Sequence, residues 1–587
     1  MSVFRTISHR VDFCIVGGGL SGMCAAVEAA RRGIKVALMQ DRPMLGGNAS
    51  SEIRRWVLGA HGKNNQETGI IEELFLGNYY RNPLKNYSIW DSVMWEIVHK
   101  EKNITLILNC SCMDAKISGN HILSVTGWQT TTQMYHTVEA PLFADCSGDS
   151  VLAPLSGAEC RTGHEARAEF GESIAPVNAD AKTMGMTISM QFRETDSPKK
   201  YIPPAWAEKY TKEMLPHRIP DLRKDSTDFW YLELGGVRDG IADTEEVRDE
   251  LLAVNYGMWD FLKNDPENRE KNANFDLDWI GFLPGKRESR RYVGDYIMNQ
   301  NDISSGGKFE DIIAYGGWTM DDHHPEGFRT AEVPTIFHPA PSPFGIPYRC
   351  LYSRNVENLF FAGRNISVSH VSLSSTRVMS TCGILGQAVG AAATAAFRHG
   401  TLPRGILKNY LTEVQQMLME DDCWLPGLTR QVSGLTGQAK LSVSQGNAGL
   451  LRNGNDRPIG NEDNGVNFNI GESAEYSFDN PKYVHRVRMV FDSDLNRETQ
   501  PKGSIHSRPM YAAYYLDTRP VYVPKTMIKD FRLVLTLADG KQEIREVKNN
   551  YLRLVYSEID IEIKSVNFEP LSTWGNSQAH VFSYEIE

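Results

Sequence analysis

Cysteine is scarce in this 587-residue chain and nowhere clustered: its nine copies, an odd number, are scattered along the sequence. That excludes a disulfide framework. Cys110 and Cys112 stand close together and read as neighbours on alternating faces of a strand rather than as metal ligands. No apolar run approaches the roughly twenty residues that span a bilayer, so no membrane partner is expected. The first residues, Met-Ser-Val-Phe-Arg-Thr-Ile-Ser-His-Arg, lack an apolar core of signal-peptide length. A cytoplasmic location is therefore expected, or a secreted or periplasmic one if a leader has been removed. Positive charge is not in excess. With 62 Lys and Arg against 73 Asp and Glu the net charge is −11, which argues against nucleic acid or an anionic membrane as partner. The 41% hydrophobic and 23% charged content is ordinary for a globular protein. The length calls for about two to four domains.

What is present begins at residues 11–42. Cys14 to Val16 close a short apolar run that reads as a buried strand. Gly17, Gly19 and Gly22 then give the G-x-G-x-x-G spacing. The first permits a tight turn, the second lets a pyrophosphate approach the backbone, and the third lets the next helix lie close to the strand. That helix carries Ala25, Ala26, Val27, Ala29 and Ala30, stops at Gly33, and is followed by a second strand from Ile34 to Met39. Strand, turn, helix and strand in this order predict a dinucleotide site.

The carboxylate that would hold an adenosine ribose is missing from its usual place. The second strand ends at Gln40, with Asp41 and Arg42 beyond it. Gln40 can hydrogen-bond a ribose hydroxyl, but without charge assistance. The glycine pair Gly46-Gly47, followed by Asn48, resembles the segment beside the pyrophosphate and isoalloxazine in two-dinucleotide-binding-domain flavoproteins. Leu142 to Asp149 is a strand ending in Ser147-Gly148-Asp149, similar to the A-T-G-D strand of those proteins. Asn358 to Gly363 is a late strand followed by Arg364, and Cys382-Gly383-Ile384 opens a small-residue helix that runs to about His399. In such flavoproteins the start of this helix points at the flavin N1–C2=O edge, where free N–H groups and the helix dipole stabilise negative charge.

Gly46 to Arg54, Gly163 to Glu172, Pro284 to Arg291, Gly316 to Pro325 and Arg364 to Gln387 together resemble the FAD-dependent oxidoreductase family common in bacterial carbohydrate-utilisation settings. The resemblance covers about the first 430 residues. It implies FAD, held by Gly17, Gly19, Gly22, Gln40, Asp41, Arg42, Gly46, Gly47, Asn48, Met113, Ser147, Gly148, Gly363, Arg364, Gly383 and Ile384. It also implies an α/β fold: a Rossmann-like FAD-binding domain in two parts, residues 1–149 and 346–402, split by an inserted α+β substrate domain at 150–345. A helical linker is expected at 403–440 and an antiparallel β-sandwich at 441–587, where short alternating segments such as Glu475 to Phe478 and Val484 to Phe491 follow one another. Val487 to Leu495 and Leu571 to Gly575 resemble galactose-binding-like, discoidin-type jelly rolls. Such a module could bind sugar or serve as a lid or a contact in a homo-oligomer, and both stay open.

A flavin that oxidises an alcohol needs a base for the hydroxyl proton, and histidine titrates in the right range. His323, in Asp321-Asp322-His323-His324, falls on the family's D-x-H position, and Asp321 could orient it. His370 precedes the flavin-edge helix, and His164 follows the Ser-Gly-Asp strand. Arg349 and Arg377 are candidates for contacting substrate oxygens or the flavin, while Arg290 and Arg291 read as salt-bridged residues. No metal is expected, because His323 and His324 are adjacent rather than four apart. No Cys-x₂-Cys or Cys-x₄-Cys lies near residues 42–60, where disulfide reductases of this fold keep their redox pair. A second glycine motif for NAD(P)H is also absent, so reoxidation is expected from an external electron acceptor or oxygen. The expected activity is oxidation of a secondary hydroxyl of a small-molecule substrate, a sugar, glycoside or polyol, to a ketone. The alternatives are a fumarate-reductase-like reduction of an unsaturated carboxylate, with an arginine as acid or clamp, and a carbohydrate-binding protein with a structural flavin.

Overall fold

The apolar run of the glycine motif forms β1 (Phe13–Val16), all four residues buried, in a computed structural model that describes residues 3–223, 228–497 and 509–587. It is buried because it is the central strand of a five-stranded parallel sheet with β2 (Val36–Met39), β3 (Ile104–Ile107), β4 (Leu142–Asp145) and β5 (Leu359–Phe361). The order is β5-β4-β1-β2-β3, so the late strand pairs with β4 across the whole inserted region. α1 (Leu20–Arg31) connects β1 to β2. An antiparallel meander, Cys110–Ser118, His121–Gln129 and Met134–Glu139, follows β3 and takes Thr6–Arg10 as a parallel fourth strand.

After β5 come α2 (His370–Thr376) and α3 (Met379–Arg398). α3 lies directly on α1: a Cβ at Gly386 would stand 1.9 Å from the Ser21 carbonyl oxygen, and one at Gly390 2.5 Å from that of Ala25. At 20 residues and a mean hydropathy of 1.2, α3 is long and apolar enough to cross a membrane, which corrects the expectation that no such run exists. Its hydropathy comes from Ile384, Leu385, Val389 and its alanines, its glycines serve the packing on α1, and 94% of the segment is buried in the protein.

The chain forms two compact units, neither continuous in sequence. The first takes in Met1–His61, Lys85–Val414 and Glu498–Arg519, and the second Gly62–Leu84, Gln415–Arg497 and Pro520–Glu587. Within the first, the inserted region is built on a helix at Thr244–Asn264, with Glu245 and Glu246 in its first turn as the dipole favours. Its apolar face, including Val247, Leu251, Met258, Trp259 and Leu262, packs on Phe192 and Phe275 from the paired strands Met190–Glu194 and Phe275–Ile280. The strand-like run Met186 to Phe192 forms two short strands, Met186–Thr187 and Met190–Glu194, and the run Phe229 to Leu234 forms only Glu233–Leu234.

The sandwich boundary at 441 needs correction. Ala513–Tyr514 pairs in parallel with the Met190–Glu194 strand, so this stretch belongs to the first unit. Conversely, residues 62–84 belong to the second unit rather than to the cofactor domain. Their helix, Ile70–Arg81, is held there by a 2.6 Å ion pair from Arg497 to Glu72 and by Tyr80 stacked on Tyr551 at 4.3 Å. The second unit is otherwise an antiparallel sheet of seven strands. The segments expected as separate strands at 475–478 and 484–491 are one strand, Ala474–Phe491, whose register shifts mark bulges that bend it. Phe491 from it and Phe568 from Leu554–Thr573 form an aromatic core with Phe531 of Ile528–Leu537 and Tyr584 of Gln578–Ile586.

Candidate active site

The carboxyl ends of the parallel strands open on a cavity of about 430 Å³, within the range of cofactor sites. Gly17 stands at φ +104°, and a Cβ there would meet the Cys146 carbonyl carbon at 2.4 Å, while one at Gly22 would lie 1.8 Å from the Gly17 oxygen. Only glycine closes this turn. The second glycine loop is clasped to the first by the Gly46 N–H, which donates to the Gly18 carbonyl at 2.8 Å. Gly17, Gly19, Gln40, Asp41, Arg42, Gly46, Gly47, Asn48, Ser147, Gly148, Gly363 and Arg364 all line the cavity. Gln40 does so with its amide committed. Its Oε1 accepts from the Gly18 N–H at 2.6 Å and its Nε2 donates to the Met44 carbonyl at 3.2 Å. Asp41, exposed on the rim, is the carboxylate available to a ribose.

Two parts of the expected cofactor set are displaced. Met113 is 53% exposed, because the register slips between Cys112 and Asp114 and the bulge turns it outward. Cys110, Ser111 and Cys112 line the cavity in its place, the two cysteines on one side rather than on alternating faces. α3 begins a turn earlier than expected, after an extended Val378, so Met379 and Cys382 present its first turn to the cavity. Gly383 and Ile384 are buried behind them.

A second cavity, about 520 Å³, adjoins the first and shares Asn48, Lys286, Arg364, Arg377 and Met379 with it. Trp56, Trp230, Trp318 and Phe337 give it aromatic walls, and His61 stacks on Trp318 at 4.2 Å. His323 is buried in its lining, with Nδ1 2.6 Å from Glu233 Oε2. Burial drives the His323 pKa below the usual histidine value, aided by Arg287 and opposed by Glu233. Burial would raise the Glu233 carboxyl, but Arg287, at 3.2 Å, and His323 outweigh it and hold the pKa at about 2. At neutral pH the pair is therefore a carboxylate and a neutral imidazole. The carboxylate accepts a hydrogen bond from Nδ1–H, which leaves the lone pair on Nε2 free to accept a proton.

Asp321 does not orient His323. It accepts hydrogen bonds from Trp318 Nε1 at 2.6 Å and from Thr319 Oγ1. Arg377 lines both cavities; its buried Nε has no hydrogen-bond partner, and the side chain makes no ion pair, among the described residues. Lys286 and Arg364, on the shared wall, both pair with Asp149, at 2.9 and 2.6 Å.

His370 and Arg349 line neither cavity, which corrects their expected catalytic role. His370 caps a buried charge cluster at the start of α2. Its Nδ1 is 2.8 Å from Glu288 Oε2, its backbone N–H donates to Glu165 at 2.8 Å, and its ring meets His164 edge-on at 3.9 Å. Burial alone would lower its pKa, but Glu288 and Asp322 raise it to about 9, so it is a fixed cation rather than a base. His164 in turn pairs with Asp180 at 2.7 Å. Arg349 is engaged by both oxygens of Asp311, at 2.9 and 3.1 Å. Arg291 pairs with Glu165 and Glu288, the structural role expected for it. Glu233 was missed by sequence reasoning, although a lone carboxylate in the apolar run from Phe229 to Leu234 was its signal. The Arg55–Asp228 pair, 3.1 Å apart in the second cavity, carried none.

The sequence profile described as FAD dependent oxidoreductase matches residues 12–418. No curated protein matches the chain. Among solved structures, a geranylgeranyl bacteriochlorophyll reductase-like protein from Thermoplasma acidophilum is 11% identical over 71% of this chain and 86% of its own, with a TM-score of 0.31. The anhydrotetracycline hydroxylase OxyS from Streptomyces rimosus is 12% identical over 70% of each chain, with a TM-score of 0.30. A family 32 carbohydrate-binding module from Streptococcus pneumoniae EndoD is 14% identical over 26% of this chain and 97% of its own, with a TM-score of 0.19. Scores this low support no argument about the present chain. The profile does, since it spans well over half the sequence and both glycine loops that wall the first cavity. The chain belongs to the FAD-dependent oxidoreductase family, and FAD is its cofactor.

Proposed function

We propose that this protein oxidises a secondary hydroxyl of a sugar, glycoside or polyol to a ketone. The observation that carries this reading is the neutral His323, oriented by an ionised Glu233, in an aromatic-walled cavity that opens into the cofactor cavity. Bound FAD supplies a two-electron acceptor for the carbinol hydrogen. The rings of Trp230 and Trp318 offer apolar faces to the C–H faces of a sugar ring, and Asp228, Asp321 and Arg55 offer hydrogen bonds to its hydroxyls. His323 Nε2 accepts the hydroxyl proton, and the Glu233 carboxylate stabilises the imidazolium that results. We assign reoxidation to an external acceptor, because the sequence holds one dinucleotide motif.

Anaerobic mixing of the FAD-loaded protein with a panel of sugars and polyols tests the reading through bleaching of the flavin. His323→Ala slows bleaching by roughly a hundredfold or more. The rate falls as pH drops through a midpoint below the ordinary histidine value of 6.5, because only neutral His323 accepts a proton. An unchanged rate in the variant overturns the assignment. A second reading, reduction of a C=C bond beside a carboxylate, is favoured by the unpaired Arg377 in the cavity lining. Reoxidation of chemically reduced protein by an unsaturated acid, with no bleaching by any sugar, selects it.

A further inference from the structure

The wall common to the two adjoining cavities carries one arginine, Arg377, that no ion pair holds among the described residues. The other cationic side chains of the two linings are Arg42, Arg55, Lys286, Arg287 and Arg364, and Arg42 stands 3.6 Å from both Asp41 and Glu52. Arg55 is paired with Asp228 at 3.1 Å and Arg287 with Glu233 at 3.2 Å, while Lys286 and Arg364 share Asp149. Asp321 already accepts from Trp318 and Thr319. Arg377 differs from the others: its buried Nε has no hydrogen-bond partner and its side chain no ion pair among the described residues, with Asp321 the carboxylate that acts on it most. A guanidinium whose Nε is buried without a partner is held at a cost, and a complementary anion removes it. Its place is also specific: it stands on the wall common to the cofactor and substrate cavities, beside Met379 at the start of α3.

We propose that Arg377 binds a carboxylate of the substrate, so that the sugar oxidised here is an acidic one, a uronic or aldonic acid or its glycoside. This rests on the alcohol-oxidation reading above and narrows its substrate class. A planar guanidinium matches a carboxylate with two parallel hydrogen bonds. The aromatic walls then take the ring, and Arg377 fixes which end of it faces the shared wall and so which hydroxyl His323 meets.

The test uses the oxidised FAD-loaded protein, with ligand binding read from perturbation of the flavin spectrum and turnover read separately from anaerobic bleaching. Glucuronate and galacturonate are compared with glucose and galactose, and with glucose 6-phosphate. The acidic sugars bind roughly ten to a hundredfold more tightly than the neutral ones, as a charge-assisted pair requires. Arg377→Gln reduces that gap to less than about threefold, and Arg377→Lys restores part of it. Sulfite addition to the flavin, measured on the same variants, reports whether the guanidinium instead serves the cofactor. Arg377→Gln that weakens sulfite addition while leaving the acid preference intact overturns the proposal. So does equal affinity for acidic and neutral sugars, an outcome that leaves alcohol oxidation standing if the neutral sugars bleach the flavin. Preference for the sugar phosphate over the uronates overturns the carboxylate. Binding of fumarate with no response to any sugar overturns both the proposal and the reading beneath it.

Discussion

At the scale of single residues the site turns on which carboxylate reaches His323. Asp321, two positions away in sequence, is held by the Trp318 indole, whereas Glu233, 90 positions away, lies 2.6 Å from Nδ1. The place of His323 in the cavity lining was legible because the D-x-H motif names it; its partner was not, because proximity in sequence is a poor guide to proximity across paired elements. The same holds for His370, whose motif looked catalytic but whose neighbours Glu288, Glu165 and Asp322 come from distant segments and make it a cation. Glu233→Gln is the decisive substitution. An amide can donate to Nδ1, which moves the imidazole proton to Nε2 and removes the base. Flavin reduction falls by roughly a thousandfold or more in stopped-flow, by analogy with carboxylate-to-amide changes in other acid–base pairs, while the FAD content of the purified protein stays at wild-type level.

At the scale of elements, local pattern and close packing divide the outcome. The β1–α1–β2 unit was legible throughout, since a buried strand, a glycine turn and an alanine-rich helix leave few alternatives. The start of α3 was placed at Cys382 because small residues begin there, but the structure shows an extended Val378 and a helix from Met379. Small residues signal close contact rather than a helix end. Gly386 shows it most sharply, with no room for a Cβ against the Ser21 carbonyl. Gly386→Val forces α3 away from α1, at a cost of about 3 kcal/mol or more, since backbone cannot yield as a flexible side chain does. The expected result is a lower thermal midpoint together with loss of yellow colour, because the same helix presents Met379 and Cys382 to the cofactor. Retained colour and an unchanged midpoint would contradict this packing account.

At the scale of the whole molecule a cofactor domain, a substrate domain and a sandwich were expected, whereas the chain forms two compact units with boundaries elsewhere. Composition changes near 440, as expected, but the two exchanged stretches, 62–84 and 509–519, carry no local sign of where they belong. They are placed by long-range contacts: Arg497 on Glu72 in one unit, Ala513 on Phe192 in the other. A fragment starting at Gln415 therefore lacks Glu72, and its Arg497, buried in the intact unit, keeps the Ser493 and Asp494 carbonyls but loses its ion pair. Loss of one member of a buried pair costs about 3–5 kcal/mol, a large share of a domain's stability. Circular dichroism of the 415–587 fragment is expected to show no cooperative unfolding transition, and co-expression with residues 62–84 to restore one.

The early position of residues 62–84 also sets a timetable for synthesis. Their helix hides Ile70, Ile71, Leu74, Phe75 and Leu76 in the finished unit, whose remaining chain begins only at Gln415. At about 5–20 residues per second, a ribosome takes roughly 15–65 s to make residues 85–414. Throughout that interval an apolar helix has emerged and its cover has not. The first unit must fold around a looped-out, sticky segment, which makes nascent chains of this protein a natural client for a holding chaperone. Slower translation beyond residue 84 lengthens that exposure.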